Sequence, residues 1–203
     1  MAYTIELCGP SAAGKSTIFE QLLLQGKFYN LNCIGMKTQF PYVNNDFKAI
    51  LQKLQNTAKG NRIQTRINAI NRSLHRLYYG VLSENDIAIV DGGTVQRAFM
   101  IDLMESKIDA MTYCDSVPTA DLAVLVTANT KTLIERNKAR NNRQDRSNDS
   151  KRVHRLVLSI YSLLRRKNKK VIIIDTDSVN CVEAAEYIWY VACKESKIND
   201  VFV

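Results

Sequence analysis

The stretch that decides the fold is YTIELCGPSAAGKST, residues 3–17. Its first six residues form a strand-like run, and the next eight fit the pattern G-x-x-x-x-G-K-[ST]. The two glycines, Gly9 and Gly14, allow a tight turn and let the backbone approach an anion with no Cβ in the way. Residues 15–25 then form a helical pattern. This order of strand, glycine-bearing loop and helix predicts a site where backbone N–H groups bind phosphate.

The side chains of this loop predict how a nucleotide and its metal would be held. We expect the Lys15 ammonium beside the β- and γ-phosphates, the Ser16 hydroxyl on Mg²⁺, and Thr17 near the α-phosphate. The other residues expected to bind the cofactor contribute backbone groups, and they are Gly9, Ser11, Ala12, Ala13 and Gly14.

Asp91 is the second candidate for the site. It follows the apolar run DIAIV at residues 86–90, so a strand would carry it to the edge of the sheet. A carboxylate in that position can hold Mg²⁺ directly or through water. The alternative is a turn residue, because two glycines follow it. We predict a catalytic and metal-binding role for Asp91.

The rest of the chain alternates apolar runs with helical patterns. Further strands are predicted at residues 32–36, 86–90, 121–127 and 171–174. Helical patterns cover residues 61–79, 94–107, 130–140, 152–166 and 182–194, and a polar loop is predicted at 141–150. The apolar runs are nearly continuous, as in parallel strands covered on both faces. The alternation predicts one α/β domain over residues 1–203 with a parallel sheet.

Composition excludes several classes of protein. With 203 residues and 46% hydrophobic content, the chain can bury a sizeable core. Its longest aliphatic run, residues 171–174, is too short to cross a membrane, and the N-terminus lacks the pattern of a secretory signal. Five cysteines without a CxxC pair argue against a zinc site and a disulfide framework. We therefore expect a cytoplasmic protein with reduced thiols and no membrane partner.

The positive charge is concentrated in one stretch. Residues 131–170 carry 14 Lys or Arg against 3 Asp or Glu, whereas the rest of the chain has a small negative balance. Such a stretch repels itself unless anions bind there, and nucleotide phosphates and nucleic acid are both candidates. The polar segment 141–150 has no aromatic residue on which bases could stack, which disfavours nucleic acid without excluding it.

Four segments together suggest a family. The phosphate loop, IVDGGTVQR (89–97), TLIERNKARNNRQDR (132–146) and VIIIDTDS (171–178) resemble the P-loop kinases of the nucleoside and nucleotide kinase group, such as thymidylate, adenylate and deoxynucleoside kinases. The resemblance implies an α/β three-layer P-loop NTPase fold with a parallel sheet. It also implies bound ATP and Mg²⁺, a helical acceptor-binding insert at about 37–82 and an arginine-bearing lid at about 136–152.

The resemblance also implies roles for arginines. Arg136, Arg140 and Arg143 match the arginines that run from the helix into the lid, where they would stabilise charge on the transferring phosphoryl group. Arg136 and Arg140 are four residues apart and share a helix face. The alternative for each arginine is a solvated position on a basic helix.

The acceptor stays open. Adenylate kinases place an arginine four residues after the acid, whereas Arg97 lies six residues after Asp91. Deoxynucleoside kinases place a glutamate soon after the second strand, whereas here Asp46 is the first carboxylate. Arg66 flanks the apolar seam of the predicted helix 61–79 and could bind an acceptor phosphate or carboxylate. We assign no role to His75 and His154.

We therefore expect an enzyme that transfers a phosphoryl group from ATP to a small acceptor. The leading acceptor is a nucleoside or nucleoside monophosphate, with Arg66 and Arg97 as acceptor-binding residues. The alternatives are a kinase of a sugar, an alcohol or a nucleic-acid 5′-hydroxyl, with Asp91 or Asp46 as base, and a P-loop ATPase or switch without an acceptor. ATP against GTP preference and a homodimeric state are left open.

Overall fold

The computed structural model describes residues 3–37, 87–96, 98–99, 111, 114, 119–141 and 147–195. Its strands are β1 (Tyr3–Cys8), β2 (Cys33–Lys37), β3 (Ile87–Asp91), β4 (Leu122–Thr127) and β5 (Lys170–Asp175). The helices that it defines are α1 (Lys15–Phe28), α2 (Thr130–Asn141), α3 (Ser147–Arg166) and α4 (Cys181–Glu195).

The strands form one parallel sheet in the order β2-β3-β1-β4-β5. In its register Leu7 of β1 pairs with Asp91 of β3, and Leu7 also pairs with Val124 of β4 on its other side. Because all strands run in the same direction, their carboxyl ends meet at one edge of the sheet. The α/β class and the parallel sheet predicted from the sequence are confirmed.

Both faces of the sheet are covered. Ile5 and Leu7 of β1 belong to the core cluster that packs under α1 and α4, whereas Cys8 belongs to the cluster under α3. Ala98 and Phe99, which follow β3, also pack in the α3 cluster. The chain therefore leaves β1 and β3 toward opposite faces. Such a switch between neighbouring strands opens a crevice at their carboxyl ends, which is where ligands bind in this class of fold.

Helices α1 and α4 pack together on one face. Trp189 of α4 is 1% exposed, and its indole N–H donates to the carbonyl of Leu22 on α1 at 3.3 Å. An indole ring buried with its one donor satisfied contributes a large apolar area at no polar cost. This contact joins the middle of α1, the helix that follows the phosphate loop, to α4.

Some predicted elements differ from the structure. The polar loop predicted at residues 141–150 is wrong at both ends, because α2 includes Asn141 and α3 begins at Ser147. Ser, Asn and Asp are favoured at helix starts, so the polar residues 147–150 form the first turn of α3. The predicted helix 61–79 and most of 94–107 lie outside the described residues, as does the insert at 37–82 apart from Lys37.

Within the described part of the chain, no helix is both long enough and apolar enough to span a membrane. The five cysteines, all described, carry free thiols.

Replacing Trp189 should test the α1–α4 contact. We expect Trp189→Ala to lower the free energy of unfolding by about 3–5 kcal/mol, because it leaves a large cavity in the core. Tyr190→Ala is the matched control, since the neighbouring tyrosine is 62% exposed, and we expect a change within about 0.5 kcal/mol. Urea unfolding followed by circular dichroism measures both. Equal losses in the two variants would contradict the contact.

Candidate active site

The loop between β1 and α1 has the backbone geometry that its sequence predicts. Gly9, Ala12 and Gly14 have φ angles of +141°, +63° and +96°. At Gly9 a Cβ atom would lie 2.0 Å from the carbonyl oxygen of Val126, so no other residue fits there. Gly14 caps the N-terminus of α1. The loop thus presents the positive end of a helix dipole at the carboxyl edge of the sheet, which favours an anion.

Three of the predicted site residues come together at this edge. The Lys15 ammonium folds over the loop and donates to the carbonyls of Gly9 at 3.0 Å and Pro10 at 2.7 Å. The Ser16 hydroxyl donates to the Asp91 carboxylate at 3.1 Å. Asp91 is the last residue of β3, which is adjacent to β1. The sheet order therefore brings a residue 75 positions away to the start of α1.

Ser16 and Asp91 fit a magnesium site by their chemistry. Both are oxygen donors, and Mg²⁺ binds through one or two such protein groups while keeping water and phosphate oxygens. Among the described residues, no three His, Cys, Asp or Glu side chains lie close enough together to hold a metal by themselves. These two side chains would therefore hold a magnesium ion that a bound nucleotide helps to coordinate.

Arg136 lies at the β5 side of the site. Its guanidinium donates to the Thr176 hydroxyl at 2.9 Å and to the Thr176 carbonyl at 3.4 Å, and lies 3.9 Å from the Asp177 carboxylate. The Thr176 hydroxyl is in turn 3.1 Å from the carbonyl of Ala13 in the phosphate loop. Arg136 is thus connected to the phosphate loop by hydrogen bonds through Thr176, which directly follows β5.

Asp177 fixes the start of the helix that carries Arg136. Its carboxylate accepts the backbone N–H of Asn129 at 2.7 Å and also the side-chain amide of Asn129. Asn129 accepts the N–H of Thr132 at 3.0 Å and so caps α2. The backbone N–H of Asn129 is the main reason that the pKa of Asp177 is lowered, and the nearby Arg136 adds to it. The amino-acid sequence alone does not distinguish Asp177 as a site residue.

Glu6 is a second residue of the site that sequence motifs do not reveal. Its side chain is fully buried in β1, and its carboxylate accepts the N–H of Gln96 at 2.9 Å and the hydroxyl of Thr94 at 3.3 Å. Burial raises the pKa of Glu6 to about 7, and the hydrogen bonds from residues 94–96 oppose this shift. The Gln96 side chain accepts the N–H of Gly9 at 2.8 Å. The sequence feature that indicates Glu6 is its charge, because it is the one charged residue in the apolar strand at residues 3–8.

The remaining predicted site residues, together with the unassigned His75 and His154, fall in three groups. Ser11 donates to the side chain of Asn137 on α2 at 3.1 Å, and Thr17 is exposed in the first turn of α1. Arg140 lies one turn after Arg136 on α2, and His154 lies within α3. Outside the described residues lie Asp46, Arg66, His75, Arg97 and Arg143.

Comparisons with known proteins agree with this architecture. A family model described as an AAA domain matches residues 5–164. No curated protein matches the sequence. The chain is similar to the thymidylate kinase of Candida albicans, with 16% identity and a TM-score of 0.57 over 94% of this chain and 90% of that one.

A second similar structure is the YorR protein of Bacillus subtilis in complex with phosphorylated GDP. It is 14% identical, with a TM-score of 0.52 over 93% of this chain and 94% of that chain. At these identities the likeness concerns the fold. The three-layer P-loop NTPase fold implied by the sequence is confirmed.

The buried carboxylate of Glu6 should make stability depend on pH. Its pKa is about 7 in the folded protein, against an ordinary value of 4.5 for a glutamate in water, so the folded state binds its proton more tightly. The stability from this proton is complete below about pH 4.5 and is lost as pH rises through about 7, by roughly 3 kcal/mol at most. Urea unfolding between pH 4.5 and 8 should therefore show a steeper loss in the wild type than in Glu6→Gln. Parallel curves for the two proteins would contradict a raised pKa.

Proposed function

The chain belongs to the AAA domain family of P-loop NTPases, and we propose that it is a kinase that transfers the γ-phosphoryl group of ATP to a nucleoside or nucleoside monophosphate. The observation that carries the proposal is the contact between Ser16 and Asp91 beside the phosphate loop. It joins a hydroxyl at the start of α1 to a carboxylate at the end of β3, and this pair of oxygen donors suits Mg²⁺–ATP.

The donor half of the reaction follows from the phosphate loop. Backbone N–H groups of residues 11–14 and the N-terminus of α1 would bind the phosphates, and Lys15 would leave its loop carbonyls to pair with the β- and γ-phosphates. Bound magnesium would neutralise charge that develops on the phosphate oxygens. Ser16 and Asp91 would hold that ion, and Thr17, exposed one residue further, would contribute its hydroxyl to the α-phosphate region.

The arginines of α2 complete the donor site. Arg136 already lies against the wall of the phosphate loop through Thr176, so its positive charge is close to where a nucleotide would bind. Arg140 is one helical turn further along α2, and Arg143 follows the end of that helix. Closing these two over ATP would exclude water and stabilise the transferring phosphoryl group.

The acceptor assignment is supported by two lines of argument. The chain matches a thymidylate kinase and the YorR protein bound to phosphorylated GDP over nearly its whole length. The second is the position of Asp91 at the end of β3, beside which the acceptor would bind. Arg97 comes soon after this strand end, directly after Gln96. Arg97 and Arg66 are the residues that we propose for its phosphate or carboxylate.

A screen of acceptors tests this function. Thermal unfolding with Mg²⁺–ATP and one candidate acceptor at a time should show added stabilisation by the true acceptor, about 2.7 kcal/mol at a hundred times its Kd. Transfer of labelled γ-phosphate to that acceptor then identifies the reaction. Transfer only to a sugar, an alcohol or an oligonucleotide 5′-end would contradict the proposed acceptor class. Release of phosphate with no acceptor dependence would favour the ATPase alternative.

Replacing Lys15 should remove catalysis without unfolding the protein. We expect Lys15→Ala to lose phosphoryl transfer on the order of a hundredfold or more, because a charge that stabilises the transferring group is gone. Binding of ATP should also weaken. Lys27→Ala is the matched control, since Lys27 is exposed in the last turn of the same helix. Steady-state kinetics and isothermal titration with Mg²⁺–ATP measure both effects, and wild-type turnover in Lys15→Ala would refute the donor site.

Replacing Asp91 should separate turnover from nucleotide affinity. We expect Asp91→Asn to lower kcat on the order of a hundredfold, because the isosteric amide holds Mg²⁺ poorly. The Kd for ATP should change by only a few fold, since the loop N–H groups and Lys15 remain.

The same substitution at Asp121 is the control for this experiment. The carboxylate of Asp121 accepts the N–H and hydroxyl of Thr4 at the opposite edge of the sheet, at 2.8 and 2.7 Å. Asp121→Asn should lose stability and keep kcat. A kcat for Asp91→Asn equal to that of Asp121→Asn would reduce Asp91 to a turn residue.

A further inference from the structure

Glu6 occupies a position where an apolar residue would be expected. Among the described residues it is the only acidic or basic side chain that is fully buried, and it lies in β1 between Ile5 and Leu7. Removing a carboxylate from water costs free energy unless several donors surround it. Here the donors come from one segment, residues 94–96, which follows β3 and lies about 90 residues further along the chain.

The segment after β3 is packed tightly onto this carboxylate. The hydroxyl of Thr94 and the N–H of Gln96 donate to its two oxygens. At Gly93 a Cβ atom would lie 2.7 Å from the Glu6 carboxyl carbon, so the turn passes directly over the carboxylate. Glu6 therefore fixes the path of the chain over the four residues that separate Asp91 from Gln96.

Gln96 transmits this order to the phosphate loop. Its backbone N–H is held by Glu6, and its side-chain oxygen accepts the N–H of Gly9 at 2.8 Å. Gly9 lies between this amide and the carbonyl of Val126, with no room for displacement toward β4. The first residue of the phosphate loop is thus held from two sides, and one side depends on Glu6.

We propose that Glu6 is a positioning residue which, through Gln96, sets the phosphate loop relative to Asp91. This inference rests on the proposed function and deepens it, because it adds two residues to the donor site. Neither residue belongs to the loop motif. An apolar side chain would pack in β1 without a desolvation cost, so the carboxylate serves geometry more than stability.

Binding of Mg²⁺–ATP tests the proposal without an identified acceptor. We compare the wild type with Glu6→Gln, Gln96→Met and the double variant, by isothermal titration and by urea unfolding. Gln96→Met keeps the length of the side chain and removes the acceptor for Gly9. We expect it to weaken ATP binding about tenfold, because the loop must then hold its bound geometry with an unpaired N–H group.

The double variant distinguishes positioning from two independent effects. If Glu6 acts through Gln96, the Kd of the double variant for ATP should not exceed the larger of the two Kd values of the single variants. Losses that multiply would overturn the proposal. Should Glu6→Gln fail to fold, Gln96→Met still decides, because wild-type affinity in that variant would also overturn it.

Thr4→Val is the control for an effect of stability alone. Thr4 lies in the same strand two residues from Glu6, and its hydrogen bonds join Asp121 at the amino end of the sheet. This variant should lose stability and keep its affinity for ATP. An affinity loss in Thr4→Val equal to that in Gln96→Met would overturn the proposal. If the wild type itself does not bind Mg²⁺–ATP, the proposed function fails first, and the two failures are distinguishable.

Discussion

The site depends on how closely β1 and β4 approach each other where β1 ends. Gly9 passes under the carbonyl of Val126 with no space for a side chain, and the chain turns there through a positive φ angle. This close approach lets the phosphate loop begin immediately at the edge of the sheet and directs α1 back over one face. The N-terminus of α1 consequently lies between the ends of β3, β4 and β5. Among the described residues, Asp91 contacts this N-terminus through Ser16.

The ends of β3 and β5 both contribute side-chain contacts to the phosphate loop and to the start of α1. From β3 come Asp91 on Ser16 and, a few residues later, Gln96 on Gly9. From β5 comes Thr176, which contacts the carbonyl of Ala13 and receives Arg136. Side chains that are anchored at strand ends keep their geometry better than side chains on free loops, because the sheet fixes their backbones. A site for a highly charged phosphate chain benefits from this rigidity, since its donors must be in place before the ligand arrives.

The sequence predicted what depends on local order along the chain. Gly9, Gly14, Lys15 and Ser16 form a continuous motif, and Asp91 was identified because it ends an apolar run. The contacts of Glu6 with residues 90 positions away could not be predicted, because they require knowing that β3 lies next to β1. The partner of Arg136 lies 40 residues further along the chain, and it could be predicted only by knowing that β4 lies next to β5. Residues 147–150 were interpreted as loop because helix starts are polar whether or not a core lies beneath them.

The two halves of the proposed reaction differ in how far the fold determines them. The donor half would be formed by the strand ends and the loop motif, so the membership of a P-loop family supports this half of the proposal. The acceptor half would come from the residues between Lys37 and Ile87, far more chain than a crossover between parallel strands needs. A fold does not determine the substrate, which is set by the residues grafted onto it. In the proposed function, Arg66, Arg97 and the neighbours of Asp91 would therefore select the acceptor, whereas the sheet and the phosphate loop would serve any phosphoryl acceptor equally.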